Sequence, residues 1–190
     1  NDYTKCIELK PEDADGYLGR GSMKSIQNNY AEAISFYDKA IQYEPNNAVT
    51  FLNRGNAKYA LKDTKGALPD YIKVSQLQPN NVNVYFNLGT IYMTQNKSNE
   101  AIEAFKKYNS GLPNEWSGYK NTADVYYTQL KQYDQAEIYY NKAYQINKSQ
   151  KDIIERLGYS LLNQKKIPQA IAMFNNQIAL LPNDYWGYYN

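Results

Sequence analysis

Apolar and small residues recur at intervals of three and four along much of the chain. In residues 85–92 they are Tyr85, Leu88, Gly89 and Tyr92, a spacing that gathers them on one face of a helix. Ala101, Ile102, Phe105 and Tyr108 repeat the pattern one segment later. Between them Gln95–Asn99 is polar and turn-prone. The prediction is a hairpin of two antiparallel helices. Gly89 and Ala101, both small, let the helices approach, and Tyr85 and Phe105 are expected to fill the space between neighbouring hairpins.

The same hairpin returns along the chain. Pro11, Pro45, Pro79 and Pro113 are spaced by 34 residues, and Pro182 falls 69 further on. Gly21, Gly55, Gly89, Ala123 and Gly158 form a second series, and Ala33, Ala67, Ala101, Ala136 and Ala170 a third. Together they place one inserted residue between Ala123 and Ala136, predicted in the turn around Thr128–Gln132. Lys148 stands where that repeat's proline would be. Pro45-Asn46-Asn47 and Pro79-Asn80-Asn81 punctuate the series: proline stops one helix and asparagine caps the next. Pro11-Glu12-Asp13 and Pro182-Asn183-Asp184 are variants of this punctuation.

With Asn87-Leu88-Gly89-Thr90-Ile91-Tyr92, then Ala101, Phe105 and Pro113, the chain resembles the tetratricopeptide repeat, a 34-residue helix–turn–helix unit. The resemblance covers the whole chain and implies an all-α fold, a right-handed superhelical solenoid of antiparallel helix pairs. Residues 1–13 would be the second half of a preceding repeat. Repeats would follow at 14–47, 48–81, 82–115, 116–150 and 151–184, with a further one opening at 185–190. Both ends cut a repeat, so a segment of a longer solenoid is expected. Arg20 and Arg54 replace the signature leucine, and Lys24 and Lys58 the signature tyrosine. Their aliphatic stems are expected to lie along the surface. Pro69 is expected to distort or shorten a second helix near its first turn, whereas Pro168 suits a first helical position.

Composition narrows the function classes. Hydrophobic residues make up 43% and charged residues 21%, which is globular. A net charge of +2, with no clustered basic face, gives no support for nucleic-acid or membrane-surface binding. No apolar stretch approaches the ~20 residues needed to insert across a bilayer. There is no histidine and one cysteine, Cys6; this removes most metal sites and the Ser/His and Cys/His nucleophiles. Cys6 aligns with Ala40 and Ala143 and is expected in the core. The 21 tyrosines fit repeat-core packing better than an aromatic binding surface. Gly16–Gly21 is glycine-rich but has neither a lysine–serine ending nor a preceding strand, so it is not a phosphate loop. No catalytic residue, metal site or cofactor is expected, and the chain is read as a non-enzyme.

Function must then come from residues outside the signature. The resemblance implies a concave groove, lined mainly by first helices, that holds a peptide or partner helix. By phase, its candidates are Asn53, Asn56 and Tyr59; Phe86 and Asn87; Lys120, Asn121, Asp124 and Tyr127; and Arg156 and Tyr159. Asn53, Asn87 and Asn121 are register equivalents, and Asn190 shares their register. A carboxamide both donates and accepts, so the row could read a peptide main chain, as in the similar asparagine ladder of protein O-GlcNAc transferases. It could equally serve the neighbouring helix. The tyrosines and Phe86 would add apolar contacts. The chaperone-tail clamp of the family matches only Asn56 and Asn87 in one register, or Asn121 and Arg156 in the next, so chaperone tails are not expected to bind. The leading expectation is a protein–protein interaction scaffold. The alternatives are a substrate-recruitment module of a larger enzyme, such as a glycosyltransferase, or an assembly factor. Self-association through exposed repeat ends is a further partner expectation.

Overall fold

The computed structural model describes residues 2–180. The expected repeat opening at 185–190, with Pro182-Asn183-Asp184 and Asn190, lies outside the described residues. Among the described residues the chain is all-α and has no strand. The helices are α1 (Asp2–Leu9), α2 (Ala14–Ile26), α3 (Tyr30–Tyr43), α4 (Ala48–Ala60), α5 (Thr64–Leu77) and α6 (Val82–Thr94). They continue with α7 (Ser98–Gly111), α8 (Trp116–Val125), α9 (Tyr133–Ile146), α10 (Lys151–Asn163) and α11 (Ile167–Leu180). A π-helical turn, Tyr126–Leu130, extends α8. None of these helices is long and apolar enough to cross a membrane. The chain divides into two compact units, Asn1–Leu88 and Gly89–Asn190, and the division falls within α6.

In the first unit α2 pairs with α3 and α4 with α5, while α3 also packs on α4. The pairs close on an aromatic ring set against a glycine. A methyl group on Gly21 would meet the Tyr37 ring at 2.6 Å, and one on Gly55 the Tyr71 ring at 2.9 Å. Both rings are fully buried, each contributing about 1.5–3 kcal/mol of apolar burial. Asn47 caps α4 by accepting from the Val49 and Thr50 amides, as its position after Pro45 predicts.

The second unit repeats the device with Phe105 against Gly89 and Phe174 against Gly158. Phe105 thus lies against Gly89 of its own hairpin. A Cβ at the glycine would clash with the ring, so the glycine leaves it room. A core of Ala123, Ala136, Tyr140, Leu157, Leu161 and Ala170 joins α8–α11.

Each first helix turns into the second through one left-handed residue: Asn28, Lys62, Asn96, Lys131 and Lys165. Asparagine tolerates this region better than most residues, and none of the five is glycine. In four of these turns an amide reaches a carbonyl five residues back, as Asn29 N–H does to Lys24 O. In the fourth, Gln132 N–H reaches six back, to Tyr126 O. The inserted residue thus lies in the π-helical end of the first helix, Tyr126–Leu130, which overlaps the expected Thr128–Gln132.

Three local expectations are corrected. Pro69 lies inside α5, which still runs 14 residues, the same length as α3, so the helix is not shortened. Pro168 is the second rather than the first residue of α11, still within the turn whose amides have no helical partner. Cys6 is exposed. Ala40 and Ala143 are buried because α3 and α9 have helices on both sides, whereas α1 packs on α2 alone among the described residues.

Candidate functional site

In the first unit, α2 and α4 share a face that lines a hollow of about 360 Å³. Asn53 and Asn56 reach it from α4, and Ser22 and Ser25 from α2. Tyr71 donates its hydroxyl to Asn56 Oδ1 at 2.8 Å, which fixes that carboxamide and leaves its Nδ2 donors unengaged. Ser25 and Tyr37 pair through their hydroxyls at 3.1 Å, and the Ser22 hydroxyl donates to Leu18 O. The Asn53 carboxamide makes no hydrogen bond among the described residues. The same holds for Asn87 in this unit and Asn121 in the second. Among the described residues, then, none of the three carboxamides bonds to a neighbouring helix. Tyr59, Phe86 and Asn87 do not line the hollow; Tyr59 is exposed and the other two half-buried.

Sequence reasoning missed the α2 half of this face. Its signal was available: shifting Asn56 and Tyr59 back by one 34-residue period gives Ser22 and Ser25. The expectation for Arg54 and Lys58 is also corrected. Their charged ends turn inward to Asp70, with Arg54 Nη2 at 2.5 Å and Lys58 Nζ at 2.8 Å, because an isolated buried carboxylate needs a partner. Lys24 pairs with Glu32, and the Arg20 guanidinium stands over the Phe36 ring.

In the second unit Lys120 and Asp124 on α8 join Asp152 on α10 in one ion-pair group. Lys120 Nζ lies 3.1 Å from Asp124 and 3.2 Å from Asp152. Burial opposes the Lys120 cation, but the two carboxylates outweigh it and raise its pKa. Tyr140 donates to Asp124 Oδ1 at 2.5 Å. Lys120 and Asp124 are thereby committed within the chain. Arg156 is exposed, without an ion pair among the described residues, and its guanidinium lies 5.7 Å over the Tyr127 ring. Asn163 holds the Tyr127 hydroxyl from α10 at 3.1 Å. Tyr159 packs edge-on against Phe174, so it braces the core as much as it presents a surface.

Burial pushes the phenols of Tyr71 and Tyr140 well above their ordinary value, and the nearby Asp70 and Asp124 carboxylates push the same way. A phenol raised in the folded state stabilises fully below the unfolded value of about 10, and that contribution falls as pH rises past it. Tyr71 and Tyr140 are therefore expected to ionise only as the helices unfold in alkali. Tyrosinate absorbance followed alongside circular dichroism checks this against Tyr71→Phe/Tyr140→Phe. The absorbance difference between the two proteins should arise only with loss of helicity, and its appearance before that loss would refute the assignment.

The family model described as "TPR repeat" matches residues 55–96, and that described as "Tetratricopeptide repeat" matches 14–47 and 123–150. No curated protein matches the chain in sequence. Among solved structures the chain is similar to YrrB, described as a TPR protein with an unusual peptide-binding site. The TM-score is 0.87 at 19% identity, covering 100% of this chain and 97% of that one. It is also similar to a MamA protein, with TM-score 0.85, 20% identity, and coverage of 89% and 92%. PilF of Pseudomonas aeruginosa follows at TM-score 0.71, 20% identity, and coverage of 88% and 76%. At these identities the structures share a fold with the chain.

Proposed function

Because the chain belongs to the tetratricopeptide-repeat family, we propose that it is a protein-interaction scaffold whose first helices bind a peptide or helix of a partner protein. The observation that supports this reading most directly is the carboxamide register: Asn53, Asn87 and Asn121 are half-buried, yet none makes a side-chain hydrogen bond among the described residues. A partly exposed carboxamide without a partner in the chain both donates and accepts, so it can exchange water for a peptide main chain. YrrB, similar in fold, is described as carrying a peptide-binding site. Each unit offers its own first-helix face. In the first unit that face is amide and apolar, through Asn53, Asn56, Tyr59, Phe86 and Asn87. In the second, Asn121 and the stacked Arg156 supply the open polar groups, while Lys120 and Asp124 hold the face rigid through their own pairs. No catalytic role is proposed for the chain.

The test uses peptides selected on the protein from a random display library and titrated calorimetrically. Replacing Asn53, Asn87 and Asn121 together by alanine should weaken binding roughly tenfold or more, at about 0.5–1.5 kcal/mol per hydrogen bond, with helicity unchanged. Affinity equal to that of the unaltered protein would sink the carboxamide reading. Raising salt should have only a modest effect, because the strongest charges are already paired inside the chain.

A further inference from the structure

The hollow between α2 and α4 has a chemical character that the general reading of the face does not specify. No charged side chain lines it. Tyr30, Tyr37 and Ile26 line it, with Ala57 and Ala60 on α4; Tyr37 is fully buried, so Tyr30 and Ile26 present the open apolar surface. Both tyrosine hydroxyls are already engaged, Tyr30 donating to Asn28 Oδ1 at 2.8 Å and Tyr37 pairing with Ser25. The open polar groups are therefore the Asn53 carboxamide and the Asn56 Nδ2 donors. A charged side chain entering here would lose water and find no counter-charge, which is unfavourable. An apolar ring would meet the Tyr30 ring, where edge-to-face contact is favoured, beside the exposed Ile26. The volume, about 360 Å³, lies in the range of small ligand sites.

The register explains why the hollow exists at this hairpin. Positions equivalent to Ser22 and Ser25 carry Asn56 and Tyr59, Thr90 and Met93, Asp124 and Tyr127, and Tyr159 and Leu162 in the other repeats. Only the first repeat has two short side chains there, and the missing bulk is the space.

We propose that this hollow is a pocket for one uncharged aromatic side chain of the bound peptide, with Asn53 and Asn56 hydrogen-bonded to the peptide groups on either side of that residue. The proposal rests on the peptide-binding reading of the first-helix face and adds its side-chain specificity.

The test titrates the intact, isotope-labelled protein with four blocked residues, the N-acetyl methylamides of phenylalanine, leucine, aspartate and lysine, followed by nuclear magnetic resonance. Phenylalanine should give saturable shifts at the Asn53 and Asn56 side-chain amides and at Ala57 and Ala60. Leucine should bind more weakly, and aspartate and lysine at least roughly tenfold more weakly than phenylalanine. Ala60→Phe fills the hollow from an exposed position at the end of α4 and should abolish the shifts while leaving the melting curve in place. Ser22→Phe repeats the test from the other wall. Shifts that map elsewhere, that persist in both filled variants, or that are equal for aspartate and phenylalanine overturn the pocket. Peptides selected on the protein keep its failure distinct from failure of the wider reading. If their binding needs Asn53 but is unchanged by Ala60→Phe, the face binds peptides and the pocket is wrong. If it needs neither Asn53, Asn87 nor Asn121, the carboxamide reading itself fails.

Discussion

Replacing Asp70 by alanine is expected to destabilise the first unit by about 3–5 kcal/mol. The Asp70 side chain is only 2% exposed, yet it holds two cations that are each 18% exposed. Arg54 grips both carboxylate oxygens, through Nε at 3.0 Å and Nη2 at 2.5 Å, and Lys58 adds a third contact at 2.8 Å. Burial opposes the Arg54 cation, but hydrogen bonds to Asp70 and then Asp38 outweigh it and raise its pKa. Removing Asp70 leaves Arg54 with only Asp38, whose side chain is 50% exposed, and leaves Lys58 without an ion pair among the described residues. Removing Asp38 instead should cost about 0–1 kcal/mol, because a half-exposed carboxylate is screened by water. One period on, the three register positions are filled by Leu88, Tyr92 and Ala104. The triple variant Arg54→Leu/Lys58→Tyr/Asp70→Ala should therefore recover most of the loss, since apolar side chains of suitable volume commonly replace a buried ion group without penalty. Urea unfolding followed by circular dichroism measures all three. A triple variant as weak as Asp70→Ala alone would show that the cost comes from lost shape and not from stranded charge.

The ion group also shows where sequence reading stopped. Arg54 and Lys58 were visible as departures from an apolar signature, and a long basic side chain at such a place ordinarily lays its stem on the surface. What turns them inward is Asp70, sixteen residues beyond Arg54 and on the other helix of the hairpin. That pairing is tertiary, and no local period reports it. The helices themselves were legible because each repeat states its small and aromatic positions again, so five weak signals agree. The inserted residue was legible too, since three independent series shift together after Ala123; its conformation was not, because a π-helical turn and a longer loop have the same length. For the candidate face, phase picked out residues on the first helices, of which Tyr127 and Tyr159 also pack against the core. It could not show that Lys120 and Asp124 are bound to each other, nor that Ser22 and Ser25 leave a hollow opposite Asn53, because absent bulk becomes visible only against the neighbouring helix.

Gly89→Val is expected to cost the second unit about 3 kcal/mol, at the upper end of overpacking penalties. A Cβ at Gly89 would lie 2.6 Å from Phe105 Cε1 and 2.7 Å from Cδ1. Phe105 is fully buried, so its ring has no solvent to retreat into. Alanine is a gentler case. Ala123 occupies the same register one repeat on and is buried with Tyr140 in one core, so a hairpin of this kind can take a methyl group if the helices ease apart slightly. A helix interior also favours alanine over glycine by about 1 kcal/mol. Gly89→Ala should therefore change stability by no more than about 1 kcal/mol, the close contact and the propensity gain opposing each other. Valine adds two branches against the same ring and loses side-chain freedom in the helix, so its penalty is not offset. The contact is isolated by a double-mutant cycle: in a Phe105→Leu background, which removes the ring edge nearest Gly89, the cost of Gly89→Val should fall by at least about 1 kcal/mol. Thermal and urea unfolding of the four proteins give that number. If valine costs the same with leucine as with phenylalanine at position 105, then the ring is not what requires glycine here, and the close approach of α6 and α7 must be limited by their backbones instead.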